Sequence, residues 1–195
     1  MLDKIIAFTR EILRSADFTC IHKQGGPADD ASIDYLEEAF EKLGYKAPSS
    51  LLEFYRICNG FTLRWTYKKL IHPDYITSGD TDIASLDLLL AAIEHVPTEP
   101  ILFDYVSDIN QVMFRMEKNR ITLLYHDEYL QEDFPMSIDV DEYFHLLDES
   151  RGLYPWRELF VKSTSFHIQQ VLKDKFFLDL ALLFKDADST LFNQT

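Results

Sequence analysis

The sequence predicts a single α+β domain. Segments with apolar residues every three or four positions lie towards both ends of the chain, and between them lies a cluster of alternating, β-branched and aromatic segments. With 47% apolar and 14% aromatic residues in 195 positions, the chain has the material for one real core. No repeat, low-complexity tract or linker interrupts it.

In "MLDKIIAFTREILRSA", Leu2, Ile5, Ile6, Ile12 and Leu13 share one face of a first helix. Asp3 near its start and Arg14 near its end suit the helix dipole. The early acid and scattered charges make this no signal peptide. Residues 20 to 33, "CIHKQGGPADDASI", read as a loop broken by Gly25, Gly26 and Pro27, with Asp29, Asp30 and Ser32 offering caps. Ile33, Leu36, Phe40 and Leu43 then define a second helix that closes at Gly44.

The stretch "APSSLLEFYRICNGFTLRW" reads as a helix that turns into a strand. Pro48 suits a first turn, Ser50 and Glu53 have capping-box spacing, and the cap itself lies within residues 47 to 50. Leu51, Leu52, Tyr55 and Cys58 form a buried face that Phe54 and Ile57 widen. Asn59-Gly60 ends the helix, since glycine tolerates a left-handed backbone. "FTLRWTY" then alternates, with Phe61, Leu63 and Trp65 on one side and Thr62 and Arg64 on the other. This joint needs no nucleophile, base or phosphate loop to explain it.

After a loop around Pro73, residues 81 to 84 read as a short strand and Ser85 as the cap of a helix through Ile93. "ILFDY", "QVMFRM" and "RITLLYH" are strands, the last two joined through Glu117, Lys118 and Asn119 in a hairpin. "DVDEYFHLLDESRG" is a helix ending at Gly152, and "PWRELFV" is a short helix entered at Pro155. Residues 165 to 185 make a long final helix. Its "FFLDLALLF" is apolar nearly all round, so a second layer or another subunit covers it. With Asp179 inside, this run is far shorter than the about 20 residues of a membrane span, and no membrane segment is expected. Cys20 and Cys58 do not form a disulfide framework, and a buried thiol at Cys58 fits a reducing cytoplasm.

The net charge is -14, and residues 70 to 150 hold 18 acids against 3 bases, while the rest of the chain is nearly balanced. Such a field repels nucleic acid and attracts basic partners. On composition alone it is also the charge of a well-solvated surface.

Candidate chemistry is sparse. Asp80, Asp82, Asp104 and Asp108 offer oxygen ligands but no calcium-loop spacing, so they read as solvated carboxylates. Asp139 and Asp141 sit at a helix start, where acids suit the dipole. Cys20-x-His22 is half a zinc site without its second pair, and His22, His72, His95, His126, His145 and His167 are isolated. No phosphate loop, nucleophile elbow or dinucleotide fingerprint occurs, so no cofactor, metal or catalytic residue is expected. "DEYLQEDF", residues 127 to 134, is different. As a loop before Pro135, it offers Asp127, Glu128 and Glu132 to steer a basic partner, with Tyr129 and Phe134 as anchors and Asp80 and Asp82 extending the acidic face. The competing reading is a polar loop with its aromatics folded inward.

The ordered set Pro48, Leu52, Phe54, Tyr55, Asn59, Gly60, Gly79, Ile83 and Leu86, followed by "FHLLDESRGLYPW" with Gly152 and Trp156, resembles the SUKH superfamily, bacterial relatives of the Smi–Knr cell-wall regulators. The resemblance covers residues 34 to 160, with Trp65 in its strand. The chain departs from the pattern at Ala47, where a larger apolar residue commonly precedes the proline, and in continuing past Trp156. The resemblance implies a twisted, mostly antiparallel sheet flanked by helices, with residues 161 to 195 as a C-terminal helical extension. It also implies a non-enzymatic cytoplasmic immunity protein, a monomer or weak homodimer. Such a protein occludes the active site of a polymorphic or contact-dependent toxin domain, often a nuclease. The alternative is a regulatory or scaffolding adaptor with an acidic docking face and several endogenous partners.

Overall fold

Among the described residues, seven strands form one antiparallel sheet in chain order: β1 (Phe18–Gln24), β2 (Phe61–Tyr67), β3 (Ser78–Ile83), β4 (Ile101–Ser107), β5 (Asn110–Glu117), β6 (Arg120–Asp127) and β7 (Glu132–Pro135). The computed structural model describes residues 2–71, 75–96, 98–107, 110–117, 120–163 and 168–193. His72, Pro73, Asp108, the turn residues Lys118 and Asn119, and the expected helical residues 165 to 167, His167 among them, lie outside the described residues. Six α-helices occur among the described residues: α1 (Asp3–Ile12), α2 (Asp30–Lys42), α3 (Ser49–Ile57), α4 (Leu86–His95), α5 (Val140–Ser150) and α6 (Gln170–Leu183). The α+β class is therefore as the sequence predicts.

Period-two alternation sets the two faces of the sheet. Phe61, Leu63 and Trp65 of β2 are buried, as are Val112 and Phe114 of β5. The helices cover this face with aromatic rings. Phe54 of α3 stacks on Phe144 of α5 at 5.1 Å, and Phe103 of β4 meets Tyr143 of α5 edge-on at 5.1 Å. The core reaches beyond residues 34 to 160 at both ends. Phe8 of α1 contacts both Trp65 (5.3 Å) and Phe184 (4.9 Å), and Phe192 packs on Phe176 at 5.0 Å. The C-terminal segment is thus one wall of the same core. No helix among the described residues is long and apolar enough to cross a membrane.

Several local expectations are corrected. The expected loop at 20 to 33 begins with strand β1, whose register runs Phe18 opposite Tyr67 to Gln24 opposite Phe61. Its Gly-Gly-Pro break falls one residue after the strand ends. On α1, Leu13 is 54% exposed and Phe8 takes the core position. Pro48 precedes α3 in extended geometry, and the Ser50 N–H is met by the Asp141 carboxylate at 2.8 Å instead of by a Ser50–Glu53 box. α3 ends at Ile57 with Cys58 extended, so Gly60, at φ +85°, turns the chain into β2 rather than capping the helix. The Ser85 side chain makes no cap bond, and Asn59 Oδ1 instead meets the first helical N–H of α4, that of Leu86, at 2.6 Å. "WRELF" forms a 3₁₀ turn (Trp156–Phe160). The final helix starts at Gln170 and buries Phe176 and Leu180, together with a Lys175–Asp179 ion pair to which Thr77 donates at 2.9 Å. Its Leu178 and Leu182 stay about half exposed.

Candidate protein-interaction surface

β6 and β7 form a tight hairpin, because Asp127 lies opposite Glu132 at its end. The Asp127 carboxylate does local work there: Oδ1 accepts the N–H groups of Tyr129 (2.9 Å) and Leu130 (3.0 Å). This is the Asx geometry by which aspartate closes a turn. Gln131, at φ +53°, completes the reversal and donates through Nε2 to the Glu128 carbonyl at 2.7 Å. With its backbone bonded inward, the turn projects Tyr129, 78% exposed, and Leu130, 51% exposed. Glu128 and Glu132 are exposed beside them.

Phe134 does not belong to this surface. It pairs with Tyr125 across β6 and β7 on the core face and is 5% exposed, so it is a core ring and not an anchor. Residue 134 is even in the β7 alternation, and the expected loop hid that parity.

His126 holds the base of the hairpin. Nδ1 lies 2.8 Å from Asp133 and Nε2 lies 3.1 Å from Glu128. Burial opposes the charged ring, but the hydrogen bonds to Asp133 and Glu128 outweigh it, and the pKa is raised. Arg115 reaches Asp133 at 3.3 Å from the other side.

Asp80 and Asp82 lie on β3. Asp82 accepts from Thr62 at 2.8 Å and pairs with Arg64 at 3.6 Å, so it joins neighbouring strands on the outer face. Asp80 is a quarter exposed and lies 3.7 Å from Arg157. Burial pushes its carboxyl up to about 7 against the pull of Arg157. Tyr154 is 37% exposed, and burial and the neighbouring Glu158, with smaller contributions from Asp80 and Asp127, push its hydroxyl up. Its N–H bonds to Ser78 O of β3 at 2.9 Å, and Glu158, hydrogen-bonded to both Tyr154 and Tyr125 of β6, links it to the strand that leads into the hairpin. The sequence reading did not single out Tyr154. Its one local signal is Pro155 directly after it, which disfavours helix at the preceding residue.

Behind this surface lies a buried polar cluster that the sequence reading also missed. Asp104 is not solvated: it is fully buried and accepts from Thr81 Oγ1 (3.1 Å), the Asp82 N–H (2.7 Å), Arg157 (2.6 Å) and the Tyr143 hydroxyl. Arg157 also donates through Nε to the Tyr143 oxygen at 2.7 Å and lies over the Trp156 ring at 4.9 Å. Tyr125 donates to Glu158 at 3.1 Å. The groups that meet Asp104 are all protein groups, the pattern of a structural ion-pair network, while Asp80 Oδ1 and Trp156 Nε1 beside it are buried without a hydrogen-bond partner among the described residues.

The motif residues build the frame of this region. Trp65 Nε1 donates to the Arg151 carbonyl at 2.9 Å, tying β2 to the end of α5. Gly79 permits that approach, since a Cβ there would lie 2.6 Å from the Trp65 ring and 2.7 Å from the Gly152 carbonyl. The following segment then pairs with β3 through Asp80 N–H to Gly152 O and Tyr154 N–H to Ser78 O, both at 2.9 Å. Trp156 is fully buried beside Tyr143.

Among the described residues, no group of three or more His, Cys, Asp or Glu side chains is placed to hold a metal ion. The Cys58 thiol is buried and pushed up to about 12 by desolvation, which leaves it protonated. Comparison with family models, curated proteins and solved structures finds no match for this chain.

Proposed function

We propose that this protein is a non-enzymatic binding module that recognises a basic protein domain through the β6–β7 turn and the adjoining Tyr154 surface. The observation that carries the reading is Tyr129, 78% exposed on a turn whose backbone is already bonded and whose neighbours are carboxylates. A turn whose backbone is already ordered loses little further backbone entropy when a partner buries its ring, and surrounding acids steer that partner in. With the SUKH-like motif set, this supports an immunity protein that covers the substrate cleft of a toxin domain. The adaptor reading differs in partner number, and no feature of the surface favours it.

The test is binding of the purified chain to the product of the neighbouring gene at low and high salt. Inhibition of that product at one-to-one stoichiometry, with association slowed by salt, supports the proposal. Absence of binding at either salt concentration overturns it.

A further inference from the structure

We propose that the open edge of β1 pairs with the same strand of a second copy, antiparallel about a two-fold axis at Ile21, so that two sheets become one. The two edges of the sheet are treated differently. At β7 the edge ends in Pro135 and is covered by the segment after the 3₁₀ turn: Ser137 N–H bonds to Phe160 O and Lys162 N–H to Pro135 O, both at 2.7 Å. Among the described residues, β1 is seven residues long, pairs with no strand besides β2, and carries no proline and one charged side chain, Lys23. Exposed edges of this length are usually blunted by proline, a bulge or a covering segment, because they template further pairing.

The hydrogen-bond phase of β1 follows from its two ends. Gly25 N–H bonds to Gly60 O at 3.1 Å, and Lys68 N–H bonds to Asp17 O at 2.8 Å. In the β1–β2 register these bonds make the odd-numbered residues the hydrogen-bonded partners of β2. The N–H and C=O groups of Phe18, Cys20, His22 and Gln24 therefore point to the open side. A two-fold centred on Ile21 sets Cys20 opposite His22 and Phe18 opposite Gln24 of the second copy, so all these groups pair. Ile21, 57% exposed, meets its own copy as a non-hydrogen-bonded pair. Thr19 meets Lys23, and no like charges face each other.

Charge selects a second copy as the occupant. The chain carries 33 acids and a net charge of -14, so two copies repel over most orientations. Residues 18 to 28 contain no acid, and neither do residues 61 to 73, which include the neighbouring β2. Of the bases there, Arg64 pairs with Asp82 and Lys69 with Asp17, and in the two-fold the two Lys23 residues stand about 14 Å apart along the strands, so the β1 edges meet without the acidic repulsion of the rest of the chain. It lies at the opposite end of the strand order from the β6–β7 hairpin, so the proposal is independent of the functional reading.

The test is disulfide capture in the full chain with Cys20→Ser as background. Ile21→Cys places two thiols on Cα atoms about 4.5 Å apart in a non-hydrogen-bonded pair, within reach of a disulfide. Mild oxidation should give a covalent dimer. Thr19→Cys alone should not, because the two copies of residue 19 are separated by about 14 Å along the strands. Mixing Thr19→Cys with Lys23→Cys should restore capture. Cys20→Pro removes an outward N–H that β2 does not use, and should weaken self-association by about tenfold or more without loss of the folded far-UV spectrum. Equal capture at every position, or a monomer by light scattering up to about 100 μM, overturns the proposal.

Discussion

Arg157 donates to the Asp104 carboxylate at 2.6 Å, 53 residues away in sequence, and the two side chains are 3% and 0% exposed. Removing one partner strands a buried charge. Asp104→Ala or Arg157→Met should each destabilise the fold by about 3–5 kcal/mol in urea denaturation. The double variant Asp104→Ala/Arg157→Met should lose clearly less than the sum of the two single losses. Additive losses would show that the two groups do not act as a pair.

Asp80 should make stability depend on pH. Its carboxyl, pushed up to about 7 by burial, keeps its proton in the folded state over a range where the unfolded chain, at about 3.9, has released it. The folded state therefore binds more protons between those values, and stability falls as pH rises from about 4 to 7. Asp80→Asn should flatten this slope, raising Tm relative to the parent at pH 8 more than at pH 4.5. Arg157 keeps Asp104 as its partner in that variant. Parallel Tm profiles would contradict the assignment.

Gly60 and Asn59 carry the joint between α3, β2 and α4. Gly60→Val should cost about 1–3 kcal/mol, since φ +85° is a region that a β-branched side chain resists. Asn59→Ala removes the acceptor of the Leu86 N–H and should cost about 1 kcal/mol. Thermal melts of the two variants check both figures.

On the hairpin, the acids and the ring should act on different rates. Glu128→Lys with Glu132→Lys should slow association with a basic partner at low salt and matter little at 1 M, where the Debye length is about 3 Å. Tyr129→Ala should mainly speed dissociation. Asp127→Ala should act through the turn, loosening the Tyr129 and Leu130 backbone, which amide exchange would register. A double charge reversal that leaves association unchanged at every salt concentration would remove this turn from the recognition surface.

Where a structural signal is local, the sequence alone determined the outcome. The alternation of Phe61, Leu63 and Trp65 made β2, the spacing of Ile33, Leu36 and Phe40 made the buried face of α2, and acids at 139 and 142 made the capping box of α5. Gly60 takes positive φ as its Asn-Gly context requires. The tertiary structure decided whatever depends on a distant partner. β1 is a strand because β2 lies beside it, since its polar His22, Lys23 and Gln24 carry little strand signal of their own. Asp104 is buried because Arg157 and Tyr143 arrive from other elements to pair with it, and a carboxylate without them would have stayed in water. Phe134 turns inward because the hairpin sets its parity, while Tyr129, four residues after Tyr125 along the turn, points out. Composition showed that the middle of the chain is acidic, but only folding selected which acids stay on the surface and which stabilise it from within.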